Sequence, residues 1–312
     1  MTHAETKWIK KPADEDRRLA FKHVSHRVAY AVSLLCAVLG LGITVGILYV
    51  LGREALEFFR HVAPLDFFLG TVWKPADSTP SYGVLPLAAG TGLVVVVSAL
   101  VSVPLGLMVG VYLADYASPG LRGFLKPALE LLAGIPSVVF GYFALNLVTP
   151  ALQALFPHVS PSNAASGGIV VGLMTLPLVA SLCEDSLSAV PKAMREAAYG
   201  LGSTKMEVTT KIVIPSALSG IAAAFILALS RAVGEVMAVT IAAGARPNLT
   251  LNPGEEVMTM TSYIVNVSRG DAARGTMQYN TIFAVGLALF LVTLAMNLLA
   301  RSLVRRYRRS YS

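Results

Sequence analysis

Charge is scarce in this chain. Of its 312 residues only 14% are Asp, Glu, Lys or Arg, where soluble domains carry about a quarter. At this length a soluble chain would form about two domains, but the few charges sit in short islands between long neutral runs, which excludes that reading. Cysteine is scarcer still. Cys36 and Cys183 both fall inside apolar runs, and with no C-x-x-C pair or Cys/His cluster there is no basis for a disulfide framework or a metal site. The five histidines (His3, His23, His26, His61 and His158) all lie outside those runs. No acidic pair or nucleophile–base set occurs within them, which argues against a membrane-embedded enzyme. There is no G-x-x-x-x-G-K-[ST] phosphate loop, no convincing internal repeat and no low-complexity segment. The sequons at Asn248 and Asn266 are short patterns of a kind common by chance.

What the chain has is apolar length: 55% of it is hydrophobic. A helix needs about 20 mostly apolar residues to cross a hydrocarbon core about 30 Å thick, at about 1.5 Å per residue. Six runs qualify: 28–52, 85–113, 129–149 with Glu130 in its first turn, 167–183, 216–244 interrupted by Arg231 and Glu235, and 281–300. The first is too long for a signal-peptide core and is read as a retained anchor. The expectation is an all-α integral membrane protein of six transmembrane helices with both termini on one side. Of the 25 Lys and Arg, 18 fall in the two tails and in the 2–3 and 4–5 loops, six in the alternate loops, and Arg231 inside a run. Positive charge collects on the cytoplasmic face. Residues 1–27 are thus expected as a cytoplasmic tail, 28–300 as the transmembrane domain and 301–312 as a basic cytoplasmic tail. The net charge of +7 is a signal of orientation and lipid headgroups, not of nucleic acid.

The loop at 184–215 is the informative cytoplasmic segment. Pro191 suits the first turn of a helix, where a missing N–H costs nothing. Ala193, Ala197 and Ala198 favour helix, and Gly200 and Gly202 end it. Pro215 is expected to start the next span. This predicts a short helix across the cytoplasmic mouth, small-sided enough to fit a groove on another protein. Of the two long outer loops, that at 245–280 carries Val257, Met258, Thr261, Ile264 and Val265 at helical spacing. That stripe fits an interfacial helix lying along the membrane or a docking surface for a partner delivering substrate.

Arg231 and Glu235 in the fifth run are spaced to share one helix face, and each costs about 2.5–3.5 kcal/mol near a bilayer centre. Two readings stay open: a neutralising pair that stitches the bundle, or a guanidinium that offers its donors to a passing oxyanion while Glu235 keeps the grip from becoming too tight. Pro104, the Gly134-Ile-Pro136 break and Pro177 lie inside spans, where proline bends a membrane helix. Gly220, Ala224, Ala228 and Ala232 recur every fourth residue, as close helix packing requires.

Glu196, Ala197, Ala198, Gly202, Ile212, Ile214 and Pro215 fill every fixed position of the E-A-A-x-x-x-G-x9-I-x-[LI]-P signature, and here the chain resembles the permeases of ABC importers. A proton- or sodium-coupled transporter would not need that signature. The resemblance implies the type I importer permease fold and a helix that docks on an ATP-binding subunit. ATP and Mg are then bound by that partner, with no cofactor on this chain. The stretch R-A-x-G-E-x-M-A-V from Arg231 resembles the fifth span of phosphate permeases of the Pst type. Asp66 to Pro75, Tyr82 to Thr91, Leu132 to Gly141 and Pro247 to Pro253 are similar to the C-type subunit. This implies a multi-pass bacterial inner-membrane subunit moving inorganic phosphate from a periplasmic binding protein. Its partners would be a homologous A-type permease and two ATP-binding subunits. The alternatives are the sister A-type permease or a permease for sulfate or molybdate.

Overall fold

Six helices among the described residues are long and apolar enough to cross a membrane. A computed structural model of the protein describes residues 13–270, 273 and 275–309. Lys7, Lys10, Lys11 and Arg274, which entered the charge count above, and residues 310–312 of the basic tail lie outside these. The chain divides into two units at Arg53/Glu54.

The first unit is the greater part of helix α1 (Ala13–Phe59). Its apolar residues from Val28 to Val50 are largely exposed, among them Leu34, Leu41 and Ile47. Such a surface is stable only in lipid or against another protein, since its backbone is satisfied internally and its side chains offer water nothing. This helix contains the first predicted run, 28–52.

In the second unit the end of α1 packs with α2 (Pro64–Leu69) and a short antiparallel ribbon, β1 (Trp73–Lys74) and β2 (Ser81–Tyr82). That ribbon is a small exception to the all-α expectation. Phe58, Phe67, Trp73 and Leu87 bury themselves there with Tyr263 of α12 (Met260–Arg269) and Ala284 and Val285 of α13 (Met277–Arg309). Val257, Met258 and Thr261, on the stripe expected to lie along the membrane or to receive a partner, are buried. Their side chains are consumed by internal packing.

At the centre α3 (Leu85–Val111) lies against α7 (Ala164–Ser188). Gly106 and Gly110 on α3 face Val179 and Cys183; Gly168 and Gly172 on α7 face Val97 and Val101. A β-carbon on any of the four would lie 2.5–2.7 Å from the facing side chain. Glycine four residues apart lets two membrane helices approach to backbone contact, and here each helix supplies such a pair to the other. The small-residue row of the fifth span behaves as expected, with Ala224, Ala228 and Ala232 buried.

The first and fourth spans run a few residues past the expected limits, and the third and fifth differ most. The third run begins not at 129 but at Ser137, and reaches Leu155. Helix α4 (Pro119–Ala133) ends before it, α5 (Ser137–Phe143) restarts after it, and α6 (Thr149–Leu155) follows a π turn. Gly134-Ile135-Pro136 breaks the helix because proline removes a backbone donor and drives the preceding residue out of the helical region. Pro104 and Pro177, by contrast, lie inside unbroken helices. The fifth span starts earlier and stops sooner than 216–244, running from Lys205 to Val233. It comprises α9 (Lys205–Val208), a π turn at Thr209–Val213 and α10 (Ile214–Val233). Pro215 therefore sits within a continuing helix, just past a widened turn.

Candidate functional site

The 184–215 loop folds into α8 (Lys192–Gly200), with Pro191 at its N-cap. Gly202 takes φ +86, Ser203 N–H reaches Ala198 O at 3.1 Å and Gly202 N–H reaches Tyr199 O at 3.0 Å. This pair of bonds is the Schellman termination that favours glycine at the left-handed position. Ala198 is buried, whereas Glu196, Ala197 and Gly202 face outward. Met194, Tyr199, Leu201 and Met206 add large exposed apolar side chains, Leu201 at 88% exposure. Ile212, Ile214 and Pro215 are half-buried at the foot of α10. The signature therefore divides into an outward face and an anchoring face.

The Arg231–Glu235 spacing does not produce a shared helix face. Arg231 lies in the last turn of α10, which ends at Val233, and α11 (Met237–Ala242) starts after a break. Glu235 sits in that break. Its backbone carbonyl accepts Thr261 Oγ1 at 2.8 Å and its carboxylate faces Ala238 N–H at 3.4 Å. Among the described residues no ion pair joins the two. Each charge instead meets a helix end of opposite sign, the cation at a C-terminus and the carboxylate at an N-terminus. Gly234 at the C-cap of α10 and the grip of Thr261 account for the interruption that spacing alone does not reveal.

Arg231 lines a cavity of about 200 Å³ with Lys126, Glu130 and Glu184 and with the apolar side chains of Leu113, Met174 and Pro177. At this cavity Glu184, 0% exposed, accepts from Arg122 and from Lys126 Nζ at 2.6 Å, and Lys126 also reaches Asp185 at 3.2 Å. The Glu184 hydrogen bond, helped by that to Asp185 and opposed by burial, holds Lys126 above the ordinary lysine range.

The family described as "Binding-protein-dependent transport system inner membrane component" matches residues 102–309. The chain belongs to this family. It is 33% identical over 273 residues to the "Probable ABC transporter permease protein YqgH" of Bacillus subtilis, covering 87% of this chain and 88% of that one. It is 30% identical over 302 residues to the phosphate transport system permease protein PstC of Mesorhizobium japonicum, covering 91% and 90%. Among solved structures, a bacterial alginate ABC transporter in complex with its alginate-bound periplasmic protein has a chain that aligns with TM-score 0.63. At 15% identity it covers 92% of this chain and 97% of that one. A MetNI methionine ABC transporter chain aligns with TM-score 0.54 at 16% identity, covering 72% and 94%. The protein is accordingly a multi-pass, non-catalytic permease subunit of an ABC importer in the bacterial inner membrane.

Sequence reasoning about this importer subunit missed the charges that do pair: Arg122, Lys126, Glu184 and Asp185, and also Asp115 and Arg195. They stood in plain view at span ends, where they counted only toward topology. The partial signal was an acidic pair, Glu184-Asp185, directly after an apolar run. Also missed was the hydroxyl cluster that braces the break, in which Thr240 Oγ1 donates to Ser262 Oγ at 2.9 Å and Met260 N–H to Thr91 Oγ1 at 3.0 Å.

Proposed function

We propose that this chain is the C-type permease of an inorganic phosphate importer. It pairs with a homologous A-type permease, accepts phosphate from a periplasmic binding protein and is driven by two ATP-binding subunits that carry ATP and Mg. The observation that carries the reading is the placement of Arg231: a guanidinium with no carboxylate partner among the described residues, on a largely apolar cavity, beside a broken helix. Arg231 is exposed, so its planar fork of donors is open to an oxyanion, and a broken membrane helix is a common setting for a substrate site. Similarity to PstC relatives across most of the chain supports phosphate over sulfate or molybdate. Glu235 moderates the local field without sequestering Arg231. The outward face of α8, with Glu196, Ala197 and Gly202, docks on an ATP-binding subunit, and Ala198, Ile212, Ile214 and Pro215 anchor it. Both termini are then cytoplasmic.

The test is reconstitution of the complete importer in liposomes, with ATPase stimulation and uptake measured for phosphate, sulfate and molybdate and their binding proteins. Stimulation by phosphate is expected, and stimulation by sulfate alone would overturn the substrate. In a background lacking Cys36 and Cys183, a cysteine at Leu201 should be labelled only from the cytoplasm and one at Leu251 only from outside. Equal access at both positions would refute the topology.

A further inference from the structure

A push on α8 reaches the spans only through what ties that helix to them, and the described residues provide a concentrated tie. The Arg195 guanidinium donates through one nitrogen to Asp115 Oδ1 and through the other to the carbonyl of Leu187 at 2.7 Å. The second oxygen of Asp115 accepts Thr209 Oγ1 at 2.7 Å. Asp115 is 2% exposed and Arg195 19%, so water competes weakly for these bonds. The four groups come from four elements. Arg195 is on α8, Leu187 closes α7, Asp115 lies in the π turn Tyr112–Tyr116 that ends α3, and Thr209 opens the π turn that leads into α10. Single π turns interrupt regular helix hydrogen bonding and are frequent at functional positions; here two of them supply the Asp115 and Thr209 side chains of one clamp.

Neighbouring residues divide the work. Glu196 faces outward from α8 while Arg195, one position earlier, points in. The other buried ion pairs, Arg122 and Lys126 with Glu184, tie α4 to α7 and involve no residue of α8. We propose that Arg195 is the positioning residue that carries displacement of α8 into α3, α7 and α10 together, with Asp115 as its anchor and Thr209 as the link to the Arg231-bearing span. A guanidinium suits this role because its fixed fork holds two acceptors in set directions, which an ammonium cannot do. The inference rests on the reading that α8 docks on the ATP-binding subunit.

The experiment uses the reconstituted complex, with three readouts: co-purification of the ATP-binding subunits, ATPase rate, and phosphate imported per ATP hydrolysed. Arg195→Gln is expected to assemble and to hydrolyse ATP, while phosphate imported per ATP falls about tenfold, the scale of one lost charged hydrogen bond. Asp115→Asn should fall similarly, and Arg195→Lys should be intermediate. An unchanged ratio in assembled Arg195→Gln overturns the proposal. If that variant does not assemble, an unchanged ratio in Arg195→Lys and Asp115→Asn overturns it instead. Gly202→Phe, which disturbs the docking face without touching the clamp, separates the two claims. If it couples normally, the docking reading fails; if it uncouples while the Arg195 variants do not, only the clamp fails.

Discussion

Two pairs of opposite charge in this chain behave in opposite ways. Arg195 and Asp115 are 80 residues apart and meet; Arg231 and Glu235 are four apart and do not. Spacing of four places side chains together only while the helix continues. Between α10 and α11 it stops, and each charge there is answered by the helix end beside it. At the α8 end the partners come from elements already fixed by packing, so their separation along the chain is irrelevant. Where the helix does continue, as at Glu207 and Lys211, a spacing of four does bring the charges together; for these two pairs contact follows where helices end, not how close the residues are in sequence.

That contrast can be broken by experiment. The largest effect is expected at Arg231: replacement by Gln should lower phosphate uptake per assembled complex roughly 100-fold, as loss of charged hydrogen bonds to an anion would. Glu235→Gln should slow turnover. Because the two do not touch, a double-mutant cycle on assembled-complex stability should give a coupling energy below about 0.5 kcal/mol, whereas the Arg195–Asp115 cycle should exceed about 1 kcal/mol. Strong coupling between Arg231 and Glu235 would end the comparison. Next comes Glu184→Gln. Breaking a buried pair costs about 3–5 kcal/mol, but here the stranded Arg122 and Lys126 can turn to solvent, so thermal unfolding in detergent should show a loss below that range. An unchanged melting temperature would mean that the α4–α7 pairs contribute nothing.

Thr261→Val should act more gently, removing the bond to the Glu235 carbonyl and the contact with the Thr259 hydroxyl, each about 1 kcal/mol, and reducing uptake a fewfold without loss of assembly. Full uptake would assign the break to Gly234 alone. The smallest effect concerns pH. Lys126 is held above its unfolded value by Glu184 and then Asp185. A raised lysine contributes stability that is fully present below the unfolded value of about 10.4 and is lost as pH rises through the higher folded value. The melting temperature should therefore show no contribution from Lys126 titration between pH 6 and 9. Part of its alkaline fall should disappear in Lys126→Met. A Lys126-dependent slope near neutrality would show that the pairing is misassigned.

The six spans and α8 were legible because each rests on local chemistry: apolar runs long enough for a bilayer, proline and glycine at the ends of a short alanine-rich helix. The Gly134-Ile135-Pro136 interruption was legible for the same reason, although it precedes the third span and does not lie inside it. The break after Val233 was not, because a lone Gly234 is compatible with a continuous membrane helix and the deciding bond comes from Thr261, 26 residues away. The stripe in the 245–280 loop is helical only from Met260 onward, with Val257 and Met258 in the non-helical segment before it, and the buried part of it faces the protein interior, since periodicity identifies an apolar face but not what covers it. Asp115 and Arg195 were invisible as partners for a related reason: charges at span ends look like ordinary topology signals until the packing brings them together.

The glycines that join α3 and α7 have a mechanical consequence. Val179, Cys183, Val97 and Val101 each sit in the gap that a glycine of the facing helix leaves, so sliding one helix past the other would drive them against residues that have side chains, and shear, a common motion of packed helices, is opposed here. The α3–α7 pair is therefore a single stiff beam, and changes of shape within this unit are left to its interruptions, at Gly134–Pro136 and at Gly234–Val236. One of those interruptions lies beside Arg231, so the joint that lets the subunit flex also changes what that cation faces.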